Sequence, residues 1–129
     1  MIVGGGDTAM EEAIFLTRFA SRVDLVHRRE EFRASKIMLD RARSNEKIHF
    51  TMNSVIEEIH DPAKGEVTGV KLRNVKTGVL TEEPVAAVFV AIGHVPNTGL
   101  FRGQLEMDSE GYLLTRQGVR TNVTGVYAC

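Results

Sequence analysis

The chain has 129 residues, 43% of them apolar, and its 16 Lys and Arg against 17 Asp and Glu leave a net charge of −1. That length suits one small domain or part of a larger one, and the lack of a basic surplus argues against a nucleic-acid partner. No apolar run of about 18 residues is present to span a membrane, no signal-peptide pattern opens the chain, and a single cysteine, Cys129, excludes an internal disulfide.

Met1-Ile2-Val3 runs directly into Gly4-Gly5-Gly6-Asp7-Thr8-Ala9, and a helical pattern follows. This reads as strand, tight turn and helix start, with the spacing G-x-G-x-x-A at Gly4, Gly6 and Ala9. Gly4 is expected to supply an unusual φ for the turn. Gly6 leaves room for a pyrophosphate, and Ala9 allows close helix–strand packing. The N–H groups of the first helical turn would face the phosphates. Asp7 suits either a helix cap or the positive end of the helix dipole. The helix is expected from Asp7 to about Ala20, with Ala9, Ala13, Leu16 and Ala20 on its inner face.

Val23-Asp24-Leu25-Val26 reads as a buried second strand. An NAD-preferring fold places an acidic residue near its end to bond the ribose 2′-hydroxyl. Here His27-Arg28-Arg29 stands there, with Arg33 close behind. Planar guanidiniums pair with phosphate oxygens, so this arrangement points to a 2′-phosphate and to NADP rather than NAD. A second helix is expected from Glu31 to Ser44, and Ile48, Phe50 and Met52 alternate as a third strand. Together these elements make the first half of a doubly wound sheet.

Three extended segments come next, around Val55–Ile59, Val67–Val75 and Val79–Leu80. They are separated by the turns Asp61–Gly65 and Lys76–Gly78, which predicts an antiparallel meander, with Gly69 marking a bulge. The run Val85–Ile92 suits a strand buried on both faces. Gly93-His94-Val95-Pro96-Asn97 is then expected as a loop at the strand's carboxyl end and a second candidate wall of the site. After Thr98, short strand-like pieces surround the turn Asp108–Gly111, and Gly125–Cys129 reads as a closing strand that makes Cys129 a structural thiol. The short first strand and the bare last one suggest a segment of a longer polypeptide.

VGGGDTAMEEA, HRREEFRAS, VFVAIGHVPNT and TGVYAC, in this order and spacing, resemble the low-molecular-weight thioredoxin reductases over essentially the whole chain. The resemblance implies an α/β fold: a Rossmann-like βαβαβ parallel sheet with an antiparallel meander, plus part of a second, FAD-binding domain. Residues 1–94 would be the NADPH-binding domain and 95–129 the return into the FAD-binding domain. Cofactors would be NADPH and FAD, the partner thioredoxin, the assembly a homodimer and the compartment the cytoplasm.

Carried over by motif, Gly4, Gly6, Thr8 and Ala9 match the pyrophosphate turn, and Gly5 and Asp7 would join them among the cofactor-binding residues. Arg28, Arg29 and Arg33 bind the 2′-phosphate, with His27 beside the adenosine. Ile92 and Gly93 flank the nicotinamide side, and Glu11 lies near its pocket. The family's Cys-x-x-C and its FAD-binding glycine motif are absent from this sequence, so no residue here is assigned catalytic or metal-binding work. Alternatives are a related flavoprotein, such as the alkyl hydroperoxide reductase flavoprotein subunit or a thioredoxin-reductase-like ferredoxin–NADP reductase, and a non-enzymatic nucleotide-binding module.

Overall fold

A computed structural model describes residues 1–129, except for the side chain of Pro62. The chain divides into two compact units, Met1–Gly93 and His94–Cys129.

The first unit holds two sheets. Strands β1 (Ile2–Gly4), β2 (Val23–Val26), β3 (Ile48–Thr51) and β7 (Phe89–Ala91) form a parallel sheet in the order β3-β2-β1-β7. Strands β4 (Ser54–Ile59), β5 (Gly69–Asn74) and β6 (Leu80–Pro84) form the antiparallel meander. Helix α1 (Asp7–Leu16) connects β1 to β2, and α2 (Lys36–Arg43) connects β2 to β3.

The pleat divides the core. Ile2 and Leu25 are register partners and lie fully buried with Ala9, Met10 and Ala13 of α1 and Ala42 of α2. Val26 belongs to a second cluster with Val70 and Leu72 of the meander, joined by Met1, Ile56, Val85 and Val88. Successive residues of one strand therefore serve two cores, as period-two geometry requires.

Both helices are shorter than the sequence suggests. The end of α1 tightens, with the Arg18 and Phe19 N–H groups donating to Phe15 and Leu16 carbonyls three residues back, and the Thr17 hydroxyl donates to Ile14 O. Helix α2 starts only after Ser35, whose hydroxyl accepts from the Met38 N–H. Residues 31–34 are loop because the Arg33 and Ala34 N–H groups both donate to Gly5 O, at 2.7 and 3.1 Å. That tertiary contact overrides the helical tendency of the segment.

The meander forms as expected, but its irregularity lies in β4 between Ile56 and Glu58, not at Gly69. Gly69 pairs regularly with Pro84, and a Cβ there would come within 3.1 Å of Glu83 O. The apolar run 85–92 is not one strand buried on both faces. Only Phe89–Ala91 is strand, and it is an edge, with Val90 67% and Ile92 63% exposed. Val85 and Val88 spend their apolar surface on the second core instead.

The second unit contains a short 3-10 turn, Gly99–Phe101, and isolated bridges such as Met107 with Leu113 and Arg120 with Tyr127. Among the described residues none from 94 to 129 is buried. Gly125–Cys129 is not a strand, and Cys129 is an exposed free thiol, so the expectation of a strand-buried sulfur does not hold.

Candidate functional site

The glycine turn is tight through close approach, not through left-handed backbone. Gly4, Gly5 and Gly6 all lack positive φ, and Gly6 lies at −101°. This corrects the reading of Gly4. A Cβ on Gly4 would sit 2.3 Å from Ala91 O and 2.7 Å from the Ala9 Cβ, so its bareness lets β7 and α1 close together. A Cβ on Gly5 would sit 2.2 Å from the His27 ring. At Gly6 a Cβ would meet nothing within 4 Å.

Gly6 is also the N-cap of α1 and provides no side-chain cap, so the first-turn N–H groups remain for an anion, with the helix dipole behind them. Asp7 does not cap α1. Its carboxylate accepts the Ser35 N–H at 2.6 Å and ties the start of α1 to the start of α2. Thr8 is exposed in the same turn and Ala9 is fully buried behind it.

His27 joins the turn to the arginine loop. It is only 6% exposed, and its ring stacks on Phe32 with centroids 5.0 Å apart. Its Nε2 donates to Glu31 O at 3.0 Å, since a carbonyl can only accept. Its backbone N–H donates to Thr51 O, and its carbonyl accepts from Ser54. The ring therefore props the loop that carries Arg28, Arg29 and Arg33 against Gly5.

Those three arginines are exposed, and among the described residues none of their guanidiniums is in an ion pair or a side-chain hydrogen bond. By contrast Arg22, Arg73 and Arg116 each hold a carboxylate. Three uncommitted forks on one short loop fit a phosphate.

Gly4, Gly5, His27, Arg28 and Arg33 line one cavity of about 420 Å³, whose apolar walls include Val26, Ile56, Val90 and Ile92. A polar rim of glycine turn and guanidiniums over an apolar floor suits a nucleotide. Arg29 is on the same loop but not on the cavity wall. Gly93, φ +89°, terminates β7 just beyond Ile92. Glu11 lies elsewhere, in a separate cleft with Asp7, Ile14, Met38 and Arg41. The sequence reading missed the meander's share of the wall. Ile56 looks like any apolar strand residue, and only the packing of β4 against the loop brings it to the site.

The chain belongs to the pyridine nucleotide-disulphide oxidoreductase family, whose model matches residues 1–129. Within that family it is similar to thioredoxin reductases. It is 56% identical to the thioredoxin reductase of Mycolicibacterium smegmatis over 99% of this chain and 41% of the relative. It is 54% identical to that of Streptomyces coelicolor over 98% of this chain and 39% of the relative. The crystal structure of thioredoxin reductase from Streptococcus pyogenes superposes with a TM-score of 0.80 at 44% identity, covering 98% of this chain and 41% of that one. The Lactococcus lactis enzyme superposes at 0.83 with 38% identity, over 98% of this chain and 42% of that one. The chain thus spans about two fifths of the length of the relatives it matches. Among the described residues no helix is long and apolar enough to cross a membrane.

Proposed function

We propose that residues 1–93 bind NADPH for a flavoprotein thioredoxin reductase, with the 2′-phosphate on Arg28, Arg29 and Arg33 and the pyrophosphate on Gly4–Ala9. The observation that carries this is the set of three unpaired guanidiniums on a loop hydrogen-bonded to the carbonyl of Gly5. The similarity to thioredoxin reductases supports the particular activity.

Bound NADPH would supply hydride chemistry to a bound flavin, with residues 94–129 among the parts of the polypeptide that would hold the FAD. This chain's own residues bind and orient. The α1 N-terminus and Gly6 hold the pyrophosphate without a side chain in between. The arginine loop fixes the adenosine end and selects the extra phosphate. Ile92 and Gly93 flank the nicotinamide side. The dithiol that reduces thioredoxin, and the surface by which subunits pair, belong to other parts of the enzyme in this reading.

In the full-length enzyme, Arg28→Ala or Arg33→Ala is expected to raise the NADPH KM by an amount equivalent to about 1.5–3 kcal/mol, the scale of a charge-assisted hydrogen bond. NADH kinetics should change little. Equal losses with both cofactors would overturn the assignment of the 2′-phosphate.

A further inference from the structure

The arginine loop carries two carboxylates, Glu30 and Glu31, and the one adjoining the Arg28-Arg29 pair is the nearer competitor for their guanidiniums. Glu30 directly follows Arg28 and Arg29, and a free carboxylate there competes with phosphate for either guanidinium. It is not free. Its Oε1 is held by Lys76 Nζ, which reaches across from the turn between β5 and β6.

That turn is firmly built. Asn74 Oδ1 accepts the Lys76 and Thr77 N–H groups at 2.9 and 3.1 Å, and Gly78, φ +73°, closes the turn with its N–H on Asn74 O. The turn is then tied to the loop through Asn53. Val75 N–H donates to Asn53 O at 2.7 Å, and Asn53 N–H donates to Arg29 O at 3.4 Å. Lys76 is therefore delivered to Glu30 by backbone bonds that also touch the arginine segment. The pair itself is open to water, with side chains 52% and 65% exposed. A pair this exposed adds little to stability. Its effect lies in where the negative charge is parked.

We propose that Lys76 is a specificity-determining residue for the phosphorylated adenosine. By occupying Glu30 it keeps that carboxylate off Arg28 and Arg29, leaving both forks available to the 2′-phosphate. This rests on the reading of the arginine loop given above.

The test is calorimetric titration of the full-length protein with adenosine 2′,5′-bisphosphate and with 5′-AMP at low salt, with thermal melts to show that every variant is folded. Lys76→Ala is expected to weaken the bisphosphate about threefold to fivefold, the ceiling for an exposed charge effect, and to leave AMP unchanged. Adding Glu30→Gln to Lys76→Ala should restore the affinity, and the Lys76→Ala deficit should fade as salt screens it. An unchanged bisphosphate affinity in Lys76→Ala overturns the proposal. So does a double variant as weak as the single one, which would mean that Lys76 touches the phosphate itself or only shapes the turn. Arg28→Ala separates the two layers. If it weakens the bisphosphate and Lys76→Ala does not, the inference alone falls. If Arg28→Ala also spares the bisphosphate, the phosphate site falls and the inference with it.

Discussion

Three consecutive glycines do three different things, and substitution separates them. Gly6→Ala adds a methyl into open space at a φ that alanine adopts. Urea denaturation should find its stability within about 0.5 kcal/mol of the parent, while affinity for the nucleotide is expected to fall because the methyl would stand where the pyrophosphate is proposed to bind. Gly5→Ala drives a Cβ into the buried His27 ring, and the same denaturation should show a loss of about 1–3 kcal/mol from overpacking. A Gly6→Ala protein that binds normally would remove the pyrophosphate from this turn. The motif spacing was legible in the sequence. The particular duty of each glycine was not, because it depends on Ala91 and on His27, which are distant along the chain.

At the scale of elements, the arginine segment shows where sequence reading stopped. Residues 31–34 carry an acceptable helical pattern, yet two hydrogen bonds to Gly5 O hold them as loop and point the arginine segment toward the glycine turn. No local propensity encodes such a contact. The turn between β3 and β4 is similar in kind. Asn53 takes φ +52° and relays hydrogen bonds from Arg29 O to the β5–β6 turn. Asn tolerates that left-handed geometry better than other side chains do. Asn53→Ala is expected to cost roughly 1 kcal/mol and Asn53→Gly much less, as measured by thermal unfolding. The run 85–92 failed as a single strand for a related reason. Uniform apolarity says that a segment packs, but not against which sheet, and here Val88 and Ala91 belong to different clusters.

Across the molecule, burial is uneven. Among the described residues, all of the buried ones lie between Ile2 and Ala91. In the 129-residue chain by itself, amide hydrogen exchange should therefore be slow in β1 and β2 and fast through most of residues 94–129, since protection follows burial and regular hydrogen bonding. Slow exchange throughout 94–129 would contradict this. The meander surface also carries groups whose titration bears on stability. Lys71 holds the Glu58 carboxyl below its ordinary value, and Lys64 with Thr68 does the same for Asp61. A carboxyl whose value is depressed by folding stabilises the fold above its unfolded value and loses that contribution as pH falls through the folded one. Lys71, raised by Glu58 and Glu82, contributes below its ordinary 10.5 and loses its share as pH rises past its folded value. Urea midpoints should thus decline in acid, with a shallower decline in Glu58→Gln.

The fit of the His27 imidazole against the bare α-carbon of Gly5 makes these two positions a lock with one key. A bulkier residue at position 5 collides with the ring at 27, so that change is expected to be tolerated better together with a slimmer residue at 27 than alone. Among distant relatives the two sites should be inherited as a couple, so a lineage bearing alanine at the first would be found to have surrendered its imidazole at the second.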